Sequence, residues 1–124
     1  AKFDEEQPCL DSVLMTLPDA EKDYKEEGDA SRYMLQGKMY AMLGGDKEEN
    51  PIVTLKLEPA HGELLRQQYE AIVPGYYMNK VHWSSVYLDA PPPQEVIFDM
   101  ARESHRLILA SLPKKTQREI LERE

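Results

Sequence analysis

The residue order predicts a single α+β domain, an antiparallel sheet with helices packed on it, and three observations carry that prediction. The chain has 124 residues, enough for one core, whereas two cores would each be too small to bury much surface. Helix-period and strand-period apolar patterns alternate along it in the order α-β-β-β-α-β-β-α, the pattern of a two-layer sandwich. Its composition, 41% hydrophobic and 31% charged, is that of a globular protein, and no apolar run approaches the ~20 residues that span a bilayer. Residues 1–113 are read as the domain and 114–124 as a charged helical tail.

Each element has its own local signal. Leu10, Val13, Leu14 and Leu17 fall at i, i+3, i+4 and i+7 and mark one face of a helix between Gln7 and Leu17. Pro8 falls in its first turn, where a missing N–H costs little, and Pro18 ends it. The polar stretch that follows, with Gly28, reads as a connection. SRYMLQ (31–36) and KMYAML (38–43) flank Gly37 as a hairpin. GGDKEENP (44–51) is turn chemistry, and IVTLKL (52–57) alternates Val53, Leu55 and Leu57 with Thr54 and Lys56, as a half-buried strand does. Pro59 opens a helix over 60–69 with Leu64, Leu65, Gln68 and Tyr69 on a face. Residues 71–76 are short and extended, Pro74-Gly75 interrupts, 77–80 turn, and WSSVYL (83–88) is the next strand. Pro91, Pro92 and Pro93 form a stiff connector to the clearest helix, where Ile97, Met100, Ala101, Ser104, Ile108 and Ser111 or Leu112 trace a 3.6-residue stripe that Pro113 stops. Ile120 and Leu121 are the only apolar grip of the tail.

Charge and motif content narrow the function. With 15 Lys plus Arg against 23 Asp plus Glu the net charge is −8, so any nucleic-acid role needs a local basic face that outweighs long-range repulsion. The acidity is concentrated at the front, whereas residues 76–87 hold Lys80 and no acid. Cys9 is the only cysteine and cannot form an internal disulfide, which fits a reducing compartment. The opening residues AKFDEEQPCL carry neither a cationic cluster nor an apolar core, so no secretory leader and a cytoplasmic location are expected. There is no HExxH, Cys-x-x-Cys, GxSxG, Walker A or GxGxxG pattern, so neither an enzyme, nor a cofactor, nor a dedicated transition-metal site is expected.

The segment PGYYMNKVHWSSVYL (74–88) resembles the MmcQ/YjbR proteins, whose signature is close to PGYHMNKRHWNTVxLDG. CLDSVLMTLPDAEKDY resembles that family's opening helix and loop, QGKMYAML its Gly-Lys-Met hairpin and IVTLKLEP its central strand, so the likeness runs from about Cys9 to Pro113. Asn-Lys-x-His-Trp is its most specific part. The resemblance implies a CyaY-like sandwich in the arrangement described as a double wing, with DNA as the expected partner. Val81 stands where relatives often carry Arg or Lys, and Asp19 where glycine is common. Both departures weaken a phosphate-binding reading.

The candidate nucleic-acid-binding residues are Asn79, Lys80, His82 and Trp83. Lys80 would meet phosphate, Asn79 and His82 would donate hydrogen bonds, and an aromatic would stack. The architectural alternative has Asn79 capping a turn, Trp83 anchoring the core and His82 satisfying buried polar groups. Arg32, Lys38, Lys56 and Arg66 extend a basic patch if their outward faces coincide, and otherwise are solvated residues that protect the sheet. Lys114, Lys115, Arg118 and Arg123 interleave with acids, which favours a solvated helix. Two other readings stand beside DNA: an adaptor for another protein, and a frataxin-like acidic ridge of Asp4, Glu5, Asp11, Asp19, Glu21 and Asp23 for a hard cation. A monomeric or weakly associating protein is expected.

Overall fold

The computed structural model describes residues 2–123. Two short helices, α1 (Lys2–Glu6) and α2 (Pro8–Met15), open the chain. Strand β1 (Glu21–Lys25), a 3-10 turn at Glu27–Asp29, β2 (Ala30–Leu35), β3 (Lys38–Gly45) and β4 (Pro51–Lys56) follow as a meander. Then come α3 (Pro59–Gln68), β5 (Ile72–Pro74), β6 (Trp83–Tyr87), α4 (Gln94–Ala110) and α5 (Lys114–Glu122). The six strands form one antiparallel sheet in the order β1-β2-β3-β4-β6-β5. No helix among the described residues is long and apolar enough to cross a membrane.

The α+β architecture agrees with the sequence pattern, with additions at the front. EKDYK, expected as a connection, is the edge strand β1, and all five of its residues are exposed. No hydrophobic alternation marks it, because an edge strand with neither face buried has none to show. Its side chains supply the reason instead. Asp23 lies opposite Arg32 in the register and accepts from Nε and Nη2, both at 2.7 Å. The Gln36-Gly37 turn of the expected hairpin has φ of 51° and 78°, the left-handed pair of a type I′ turn, which matches the twist of the strands it joins. Asp19, also left-handed at φ 60°, occupies a position that suits glycine.

One face of the sheet carries the main core. Tyr33, Leu35, Leu43, Val53, Leu55 and Val86 point to Leu14 of α2, Leu65 of α3 and Ile97, Met100 and Ile108 of α4. Residues paired in an antiparallel register share a face, so Leu43 with Val53 and Val53 with Val86 line up across three strands. The register slips between Tyr33 and Met34, leaving Tyr40 as the extra residue of a bulge. Ser104 of α4 satisfies what the bulge exposes: its hydroxyl donates to the Tyr40 carbonyl at 2.5 Å and accepts the Lys56 amide at 2.9 Å. The Tyr40 hydroxyl donates to the Leu14 carbonyl at 2.6 Å. Glu103 caps α3 from the next helix, accepting the Glu58 amide at 2.9 Å and meeting His61 Nδ1 at 2.5 Å. Ile120 of α5 is buried in the same core while its neighbour Leu121 is exposed, and Gln117 Nε2 donates back to the Leu112 carbonyl at 2.7 Å, so the C-terminal helix is fastened by one apolar side chain and a polar tie to the end of α4.

A polar knot joins the opening helices to the sheet. Lys22 Nζ lies 2.9 Å from Asp4 Oδ2 and 2.6 Å from Asp11 Oδ1. Ser31 Oγ donates to Asp4 at 3.0 Å and the Tyr33 hydroxyl to Asp11 at 2.6 Å. Burial opposes the charge on Asp4, but the hydrogen bonds from Lys22 and Ser31 outweigh it and hold the carboxyl below its ordinary 3.8. A carboxylate whose folded pKa is depressed adds stability above its unfolded pKa and loses it as the pH falls through the folded value. Asp4→Asn is therefore expected to lower stability by about 2 kcal/mol at neutral pH and to flatten the loss of stability below about pH 4, as measured by urea unfolding across an acid series. An unchanged acid limb would remove Asp4 from the knot.

Candidate binding loop on the outer sheet face

The opposite face of the sheet has no helix layer, yet it is not bare. Ala30, Met42, Ile52 and Trp83 are buried there, outside the main core. Register places Met42 beside Thr54, Thr54 beside Ser85, and Lys56 beside Trp83. Thr54 and Ser85 are fully buried and their hydroxyls bond to one another at 2.7 Å. The segment between β5 and β6, residues 75–82, provides the cover.

That segment is held at every turn. The Gly75 amide donates to the Trp83 carbonyl at 2.8 Å and the Tyr76 amide to Ser85 Oγ at 3.0 Å. A Cβ at Gly75 would stand 2.8 Å from the Trp83 Cβ and carbonyl oxygen, so only glycine passes there. Asn79 closes the turn as an Asx motif: its Oδ1 accepts the Val81 amide at 2.9 Å and the His82 amide at 3.2 Å. The Asn79 carbonyl accepts the Trp83 amide at 2.9 Å, and the His82 carbonyl accepts the Leu57 amide at 2.8 Å. Tyr76 is clamped inward, its hydroxyl 2.6 Å from that of Tyr87, which donates in turn to Asp46 at 3.1 Å. Asp46 is itself the cap of the β3–β4 turn, accepting the amides of Glu48 and Asn50, both at 2.9 Å. The bond with Tyr76, then desolvation and the Asp46 carboxylate, push the Tyr87 phenol above its ordinary pKa.

Tyr77 differs from the residues around it. Its φ is +66°, an unfavourable region for a bulky side chain, and its ring is 61% exposed. Together with Lys25, Met42, Ile52 and Thr54 it lines a cavity of about 310 Å³. Val81, four residues on, is 58% exposed. The sequence does not mark Tyr77: in the pair Tyr76-Tyr77 nothing tells which ring turns in and which out.

The eight residues singled out in sequence separate in space. Asn79 and Trp83 take the architectural places, as turn cap and buried anchor. His82 is exposed, its Nδ1 3.3 Å from Asn79 Oδ1, so it does not satisfy a buried group. Lys80 is exposed as a residue, and its ammonium donates to the Gly75 carbonyl at 3.1 Å and sits 6.0 Å from the Tyr76 ring. Lys56 shares the outer face through its register with Trp83, and neither it nor Lys80 makes an ion pair among the described residues. Arg32 is on the same face but is held by Asp23. Lys38 reaches Ser111 at the end of α4 at 3.2 Å, and Arg66 donates to Ser84 at 2.8 Å beneath α3. The patch expected from five cations thus reduces to Lys56 and Lys80.

Residues 15–107 match the YjbR family model, about three-quarters of the chain. The chain belongs to the YjbR family. It is 33% identical over 104 residues to the uncharacterized protein YjbR of Escherichia coli K12, covering 84% of this chain and 87% of that one. A shorter likeness, 37% over 59 residues, links it to the uncharacterized protein YyaQ of Bacillus subtilis, at 48% of this chain and 49% of that one. Among solved structures it is similar to Deinococcus radiodurans protein DR2400, a DUF419 domain, with a TM-score of 0.82 at 28% identity over 92% of this chain and 86% of that one. A Pseudomonas syringae protein gives a TM-score of 0.68 at 28% identity over 82% and 96%.

In this YjbR domain four of the six residues of the expected acidic ridge are taken by cationic and amide partners. Asp4 and Asp11 share Lys22, Asp23 holds Arg32, and Asp19 meets Gln36 at 2.6 Å and Arg123 at 3.4 Å. No group of three metal-ligating side chains converges among the described residues.

Two substitutions test the loop's construction. Gly75→Ala should cost roughly 2 kcal/mol, because backbone and Trp83 must both shift to admit the methyl group. Asn79→Ala should cost about 1 kcal/mol through two lost amide partners. Thermal unfolding reads both, and a neutral Gly75→Ala would show the loop to be loosely seated.

Proposed function

We propose that this chain is a non-enzymatic binding module whose signature segment holds out Tyr77 and Val81 as the anchor for a protein partner. Tyr77 carries the reading. Residues held in sparsely populated backbone regions cost about 1–3 kcal/mol each and cluster at functional sites, and the Tyr77 ring, 6.1 Å from that of Tyr76, stays 61% exposed. Tyrosine is among the residue types that dominate binding energy at protein interfaces. A cavity of about 310 Å³ beside it has room for a side chain of the partner. The net charge of −8 favours such a partner over a polyanion.

A second reading, contact with DNA through the turn, is supported by Lys56 and Lys80. Both lack ion pairs among the described residues, and 71–88 contains no acid. Two phosphate contacts give weak binding with a shallow salt dependence.

The readings separate experimentally. A photo-crosslinking residue at position 81, exposed to lysate of the native host, should yield a discrete protein adduct that disappears when Tyr77→Gly is added. Tyr77→Gly should not lower the melting temperature, because glycine relieves the positive φ. Fluorescence anisotropy with short duplex and single-stranded DNA at low and moderate salt should show little binding. Binding that is abolished by Lys80→Glu and leaves position 81 without a protein adduct would overturn the first reading in favour of the second.

A further inference from the structure

The sheet ends in one long edge, and the sequence of that edge complements itself. β1 pairs only with β2, while the other edge, β5, has three residues and closes in Pro74. Every residue of β1 is exposed. An edge of this length presents unpaired N–H and C=O groups to any strand that can match it. We propose that β1 is the docking surface for a second copy of this chain, joined antiparallel about a two-fold axis at Asp23.

Register and charge select that arrangement. If the helix layers of the two copies lie on the same side of a continuous sheet, facing residues must belong to the same face. The axis must then pass through a residue rather than between two. An axis at Lys22 engages only residues 21–23 and brings Glu21 against the second copy's Asp23 twice. An axis at Tyr24 engages only residues 23–25 of the strand. The axis at Asp23 uses all five and sets Glu21 opposite Lys25 twice. On the other face it puts the stem of Lys22 beside the exposed ring of Tyr24, which is 52% accessible. The like pair at the centre is muted, because each Asp23 carboxylate is already bound by Nε and Nη2 of its own Arg32 at 2.7 Å. A two-fold contact uses the same patch on both molecules and closes.

Five residues of edge bury less than the ~1,200 Å² of a stable interface, so the association is weak and visible only at high concentration. Sedimentation equilibrium from micromolar to near-millimolar protein should show the mean mass rising above the 14.3 kDa of one chain. Amide exchange at residues 21–25 should slow over the same range. Lys25→Glu, at a solvent-exposed position, sets two carboxylates against Glu21 and should weaken association at least tenfold. The double variant Glu21→Lys with Lys25→Glu restores both facing pairs and should recover it. A mass that stays at 14.3 kDa throughout, an effect absent in Lys25→Glu, or a double variant that fails to recover would each overturn the proposal.

Discussion

Strand β4 has to be buried on both sides. Val53 and Leu55 face the helices with Ile52 and Thr54 on the reverse, and none of the four is more than 2% exposed. A central strand with two buried faces needs two covers, and the helices supply only one. The second cover comes from the chain between β5 and β6, drawn back across the sheet. Thr54 makes this cover demanding, since a buried hydroxyl requires a partner. Ser85 is that partner, and Ser85 in turn fixes the Tyr76 amide. The path of the signature segment follows from this requirement.

The two faces are consequently built from different chemistry. Helices meet the inner face through aliphatic and aromatic side chains in one continuous core. The outer face is closed by hydrogen bonds in sequence: Asn79 to the turn amides, Gly75 to Trp83, Tyr76 to Tyr87, Tyr87 to Asp46. The stretch from Tyr76 through Tyr87 to Asp46 is continuous, so it polarises along its length and fixes the geometry of what it holds. It also links the loop at one end of the sheet to the β3–β4 turn, so the position of Tyr77 depends on the cap at Asp46. The polar knot around Lys22 does comparable work for the opening helices, using an ammonium between two carboxylates.

Much of the fold was legible in the residues because apolar period carries it. The stripe from Ile97 to Ile108 and the alternation at Val53 and Leu55 were readable for that reason, and Gly37 marked the hairpin, although its partner in the turn, Gln36, read as strand. β1 was not readable, since EKDYK buries nothing and is a strand only by virtue of its neighbour. The candidate site was readable as a segment but not as a surface. Asn79 and Trp83 stood out by residue type, and their types serve the turn and the buried layer. Lys38 and Lys56 look alike in sequence, yet bulge and strand parity send one toward α4 and the other to the outer face. That Tyr77 stands exposed goes with a positive φ of 66°, and composition carries no trace of it.

Trp83 gives the molecule a built-in optical gauge. It is the chain's one tryptophan, and it lies 8% exposed beneath the covering segment, apart from the helix-facing core. Its emission therefore follows the seating of residues 75–82, while the far-ultraviolet signal follows the helices. If the cover lifts while the rest of the molecule stays folded, the indole shifts to the red with no loss of ellipticity. Local opening of the outer face is thereby separable from global unfolding in the native protein, with no label attached.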